Sequence, residues 1–231
     1  MPTISDIMLL VISGAGVVAP QFVTHASHLG VITPAGLNGL DRPYAGRRSD
    51  QLDRAGTIAA VVGTAGPVGL ALGLAPTRDR MWTNLLVLSE AVAVNGAINQ
   101  GVKLAVHRPR PYAYGLATGD PLRDRADTTR SFYSMHTSIV VAAGTCWAVL
   151  EAREHPDAAW RWIALGWTAV AGTTVGMLRV KAGRHFPSDV LTGAVAGTLT
   201  GVAVPWLRAR GVSVSATTGS AGAMLVCSNP F

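Results

Sequence analysis

Six apolar runs, with most of the charge lying between them, limit what this chain can fold into. They cover residues 4–23, 55–76, 81–102, 137–150, 160–178 and 190–207. A helix crossing a bilayer needs about 20 mostly apolar residues, with a range of roughly 17–25. The second, third, fifth and sixth runs satisfy this as they stand; the fourth needs a residue or two added at each end. Buried helices of a soluble domain are the alternative, but 14% charged residues is far below the roughly 25% of soluble domains. The expected fold is therefore all-α: a polytopic membrane helix bundle of about six transmembrane helices, forming one domain over residues 1–210. The small-residue-rich tail, 211–231, is expected to be poorly ordered. The first run lacks a positive leading segment and carries Asp6, so it reads as a retained helix rather than a secretory signal.

Small residues support packing within lipid, where glycine lets helices approach closely. Gly193, Gly197 and Gly201 recur every fourth residue, as do Gly172 with Gly176 and Gly69 with Gly73. Glu90, Asn95 and Asn99 lie inside the third run. Such residues mark either function or interhelical hydrogen bonding, and the sequence leaves both open.

The formal charge is +6, but the arginines sit at the ends of runs rather than along one helical face. That argues against nucleic acid and for membrane flanks and an anionic substrate. Cys146 and Cys227 suggest no disulfide framework.

Three segments at run ends carry the chemistry: Lys103 to Pro111, Tyr133 to His136, and Arg179 to Asp189. No run separates the first from the second, and two separate the second from the third. All three therefore converge on one membrane face. Lysine and arginine concentrate on cytoplasmic loops. The opposite face holds Arg78, Arg80, Arg153, Arg161, Arg208 and Arg210, which makes the candidate site extracytoplasmic, in a cell inner or plasma membrane. The loop with Arg42, Arg47, Arg48 and Arg54 runs against this bias.

A phosphate monoester carries roughly −1.5 to −2 charges, and arginine forks fit its oxygens two at a time. Lys103, Arg110 and Arg179 are the candidate ligands, with Pro109 breaking the helix so that Lys103 and Arg110 can face one anion. Ser134 and backbone amides at a helix start could hold another oxygen. His185 and Asp189 are four residues apart, which on a helix places them on one face. A carboxylate on one ring nitrogen would leave the other free to attack. His136 is the candidate acid for the leaving group. No metal-ligand pattern is present, and His25, His28, His107 and His155 lack partner ligands at suitable spacing. No cofactor is expected, with protein cations replacing a metal on the phosphate.

These residues closely resemble the type 2 phosphatidic acid phosphatase superfamily, which includes lipid phosphate phosphatases, bacterial acid phosphatases and vanadium haloperoxidases. Lys103, Arg110 and Pro111 match its Lys-x6-Arg-Pro segment. Ser134 and His136 match Pro-Ser-Gly-His, while Arg179, His185 and Asp189 match Ser-Arg-x5-His-x3-Asp. The resemblance implies a nucleophilic His185 forming a phosphohistidine, an orienting Asp189 and an acidic His136. It also implies phosphoryl binding by Lys103, Arg110, Arg179 and Ser134, with secondary roles for Arg108 and Tyr112. Tyr133, Met135 and Leu178 depart from the pattern's proline, glycine and serine. Met135 matters most, because it puts a flexible apolar side chain beside the phosphate site. The implied activity is hydrolysis of a lipid phosphate monoester or polyprenyl pyrophosphate, with the bilayer and a membrane lipid as partners. A phosphotransferase, or a non-catalytic binder of lipid phosphate, is the alternative; self-association into a homo-oligomer is left open.

Overall fold

Helix starts follow local capping chemistry. The computed structural model describes residues 29–30, 32–219 and 222–228, with side chains as far as residue 212. Helix α1, Asp50–Gly73, begins after Ser49, whose hydroxyl accepts the Leu52 amide at 3.3 Å, and Asp50 and Asp53 occupy its first turn. Both features suit the positive end of a helix. Helix α2, Arg78–Val106, starts the same way on Thr77, which accepts the Arg80 amide at 3.2 Å. It stops at His107, in the left-handed region with φ 49°, just ahead of Pro109. Helices α3, Met135–Glu154, and α4, Trp160–Lys181, follow. Helix α5, Pro187–Arg208, opens on a proline, whose missing amide costs nothing at that position.

All five helices are long and apolar enough to cross a membrane. They correspond to the second to sixth runs; the first run lies outside the described residues. Consecutive spans alternate in direction, so the end of α2, the start of α3, the end of α4 and the start of α5 share one end of the bundle. This is the convergence expected from counting crossings.

The bundle is built around α3. Cys146, Trp147 and Val140 are fully buried there, and Leu88, Val94, Ala164 and Val204 belong to the surrounding core. The outward face is apolar instead: Val61, Val170, Leu191, Val195 and Leu199 are all exposed. An apolar belt around a polar-tipped bundle is the surface that a bilayer requires.

Close packing of α5 on α3 depends on the Gly193, Gly197 and Gly201 row. A Cβ at these positions would lie 2.7 Å from the Ser134 carbonyl oxygen, 2.4 Å from that of Ser138 and 2.6 Å from that of Ala142. Gly172 and Gly176 are similarly tight, against Val141 and Val190. Gly69 and Gly73 are not: no atom lies within 4 Å of a Cβ at either, so they do not form the expected interface. On α1 that role falls to Gly63 and Gly66, which meet Val140 and Trp167.

The polar residues of α2 pair between helices. Asn95 donates to Ser138 Oγ at 2.9 Å, Asn99 to the Tyr133 carbonyl at 2.8 Å, and Glu90 accepts from Arg208 at 2.7 Å. After α5 the chain forms an antiparallel ribbon of β1, Ser213–Gly219, and β2, Gly222–Ser228, in register from Ser213 opposite Ser228 to Gly219 opposite Gly222.

Gly197→Ala should lower the apparent Tm in detergent, consistent with an overpacking cost of about 1–3 kcal/mol. Gly69→Ala, in open space, should leave it unchanged or raise it through helix propensity, worth up to about 1 kcal/mol. Thermal unfolding of the two variants side by side checks both outcomes.

Candidate active site

At the shared end of the bundle, Lys103, Arg110, Met135, His136, Arg179 and His185 line one cavity of about 410 Å³. All six were singled out in the sequence. Gln100, Asp127 and Arg130 complete most of its wall. Lys103 comes from the last turn of α2, Met135 and His136 from the first turn of α3, and Arg179 from the last turn of α4. Arg110 and His185 reach in from loops.

The guanidinium groups are held in fixed orientations. Arg110 donates through Nε to the Asp127 carbonyl at 2.8 Å, through Nη2 to the Asp127 carboxylate at 2.6 Å, and through Nη1 to the Arg184 carbonyl at 2.8 Å. Arg179 donates through Nη1 to Asp53 Oδ1 at 2.5 Å, and Arg184 donates to the other oxygen of Asp53. The Nε–H of Arg179 is buried and has no hydrogen-bond partner. A buried donor left unmade costs about 1–3 kcal/mol, so an acceptor arriving there recovers that loss. Partial burial works against the Asp127 carboxylate, but Arg110, Lys103 and Arg184 outweigh it and hold its pKa down to about 2.

His185 is 1% exposed, and its ring is fixed at both nitrogens. Nδ1 lies 2.8 Å from the Ser131 carbonyl oxygen, which can only accept, so the proton of the neutral ring is on Nδ1. Nε2 lies 3.4 Å from Arg110 Nη1, a group that can only donate, and so carries no proton in the neutral ring. Burial pushes the His185 pKa down to about 3, with Arg110 and Lys103 acting in the same direction and Asp189 opposing them.

Asp189 stands behind this arrangement. Its Oδ2 is 3.8 Å from His185 Nδ1, too long for a hydrogen bond, and accepts instead from Ser131 Oγ at 2.6 Å and the Phe186 amide at 2.8 Å. Its Oδ1 accepts from Arg108 at 2.5 Å. Direct orientation of His185 by Asp189, which the four-residue spacing suggested, is replaced by a relay through Ser131. The spacing misleads because α5 begins at Pro187, leaving His185 outside the helix.

The other expected residues also lie behind the cavity wall. Ser134 is fully buried, with Oγ 3.0 Å from Thr137 Oγ1. Arg108 binds Asp41 and Asp189, and the Tyr112 hydroxyl meets Thr128 Oγ1 at 3.0 Å. Sequence reasoning missed Ser131, Asp127, Arg130, Arg184, Asp53 and Asp41. Arg184 adjoins His185 within the third segment, which was a usable signal; the aspartates gave none beyond being acidic residues among arginines.

Residues 84–212, more than half of the chain, match the family model described as the PAP2 superfamily. The chain belongs to the PAP2 superfamily. A curated relative, Lipid A 1-phosphatase of Porphyromonas gingivalis, is 29% identical over 137 residues, covering 56% of this chain but 25% of that protein. This PAP2 chain thus spans about a quarter of the length of the relative it matches. Among solved structures, a transmembrane PAP2-type phosphatidylglycerolphosphate phosphatase from Bacillus subtilis superposes with a TM-score of 0.51 and 18% identity. The match covers 90% of this chain and 96% of that one, a likeness of fold.

The depressed pKa of His185 gives a direct test. An ordinary histidine is half protonated near pH 6.5. In ¹⁵N spectra of histidine-labelled protein, the His185 ring should remain neutral, with its proton on Nδ1, from about pH 8 down to about pH 5. A titration midpoint above pH 6 would contradict the geometry.

Proposed function

We propose that this PAP2 protein is an integral-membrane phosphatase. In this reading it hydrolyses a lipid phosphate monoester or polyprenyl pyrophosphate, through a phosphohistidine and without a metal. The observation that carries the reading is His185, with Nδ1 held by the Ser131 carbonyl and Nε2 beside Arg110, lining a cavity that Lys103, Arg110 and Arg179 also line. A nucleophile among preorganised cations suits a reaction whose transition state spreads negative charge over the phosphoryl oxygens.

In the first step Nε2 of His185 attacks phosphorus, the N–P bond forms and the P–O bond to the lipid breaks. His136, protonated once the anionic phosphoryl group lies against it, gives that proton to the departing oxygen, so an alcohol leaves from a monoester and a lipid monophosphate from a pyrophosphate. In the second step His136 takes a proton from water, the oxygen attacks phosphorus and the N–P bond breaks. Inorganic phosphate leaves and both histidines return to their starting states. Lys103, Arg110 and Arg179 bind the phosphoryl oxygens throughout, the buried Nε–H of Arg179 among the donors. Asp189 and Ser131 keep the ring in the reactive tautomer. The arginine bias of the opposite end supports placing the site on the extracytoplasmic side.

Purified protein in detergent should release phosphate from lipid phosphates in the presence of EDTA, and vanadate should inhibit it. His185→Ala should reduce release to background. His136→Ala should slow release by about 10²–10⁴-fold for an alkyl phosphate. The loss should be much smaller for p-nitrophenyl phosphate, whose leaving group needs no proton. Activity that requires Mg²⁺, or that survives the loss of His185, would overturn the mechanism.

A further inference from the structure

The phosphate cavity is polar on most sides, but it adjoins an apolar groove of about 430 Å³ between α1 and α3. Met135 and His136 line both spaces. Beyond them the groove runs along Ala60, Val61, Ala65 and Val68 of α1, facing Ile139 of α3. Val61 is 64% exposed on the outer face of the bundle, so the groove opens sideways toward the bilayer. A larger groove over α4 and α5 shares no lining residue with the phosphate cavity.

Resting on the phosphatase reading, we propose that the α1–α3 groove holds a single hydrocarbon chain of the substrate. Met135 is then the specificity-determining residue that restricts the enzyme to single-chain lipid phosphates. Three observations combine. Among the described residues, the apart-from-Met135 wall of the phosphate cavity is charged or polar except for Ala126, so it offers no second apolar exit. A second acyl chain would have to lie over Lys103, Arg110 or Arg179 and strip water from them, which is costly. Met135, the first residue of α3, stands at the junction itself, where the family pattern has glycine. Its unbranched thioether narrows the passage that a glycine would leave open, and it can flex around one chain. The groove volume falls within the roughly 300–1,000 Å³ of small-ligand sites.

The test compares kcat/KM for butyl phosphate, hexadecyl phosphate and dioleoyl phosphatidic acid, using the full chain in detergent. Wild type should prefer hexadecyl phosphate over both others by about 10-fold or more, since apolar pockets discriminate on that scale. Met135→Gly, with Met135→Ala as a second variant, should raise kcat/KM for phosphatidic acid about 10-fold while moving that for hexadecyl phosphate much less. Ala65→Trp fills the groove away from the phosphate cavity. It should remove most of the gain of hexadecyl over butyl phosphate and leave butyl phosphate hydrolysis near wild type, which also shows that the variant is folded. Equal hydrolysis of all three esters, or a chain preference that survives Ala65→Trp, would overturn the groove and leave the phosphatase reading standing. An unchanged phosphatidic acid rate in both Met135 variants would overturn the role of Met135. No release from any ester would defeat the phosphatase reading and this inference with it.

Discussion

Arg108 joins three parts of the chain that are distant in sequence. Its guanidinium donates to Asp41, ahead of α1, at 2.7 Å, and to Ser188 and Asp189, in the first turn of α5, at 2.8 and 2.5 Å. Both carboxylates are fully buried. Buried charges are costly unless they are paired and hydrogen-bonded, and here each carboxylate accepts from Arg108 and from at least two further donors. Asp41 also accepts from Asn38 and from the Ser188 amide and hydroxyl, which hold its pKa below the ordinary carboxylate value against the effect of burial. Asp189 serves Ser131 and the Phe186 amide as well. Removing one partner would strand the others, at a cost of about 3–5 kcal/mol. Through Ser131, this same ion cluster fixes the ring of His185.

The charged wall of the cavity is built on similar lines. Asp53 pairs with Arg179 and Arg184, and Asp127 with Arg110 and Arg184, so both Arg110 and Arg179 are held by a carboxylate. Four cationic side chains could not sit this close to one another without such partners. The aspartates therefore allow basic side chains to gather at the end of an otherwise apolar bundle. They also explain why basic residues alone gave an incomplete account of it.

Much of the architecture was legible because it depends on local properties. Run length and apolarity gave five of the helices, and crossing parity gave the shared end. The four-residue glycine row of α5 gave its packing on α3. Features that depend on where a backbone turns were not legible. Whether Gly69 meets another helix depends on which face of α1 points inward, and its row points outward. The relation of His185 to Asp189 depends on a helix that starts two residues too late for the spacing to apply. Ser134 instead pairs its hydroxyl with that of Thr137, a local partnership that sequence does not decide. The bridging role of Ser131 uses its backbone carbonyl as much as its side chain, and carbonyls leave no trace in a motif.

The order in which the cavity residues occur along the chain bears on biogenesis. A nascent chain that has emerged only through α4 would already hold Lys103, Arg110, His136 and Arg179, and with them the cationic wall and the candidate acid. It would lack both His185 and the Asp189 carboxylate that Arg108 and Ser131 need as a partner. Synthesis delivers residues in sequence, at roughly 5–20 per second, so the proposed nucleophile is the last of these cavity residues to be added. Completion of the site is thereby tied to entry of the last span into the bilayer. A chain inserted only through α4 would carry the basic wall of the cavity without His185.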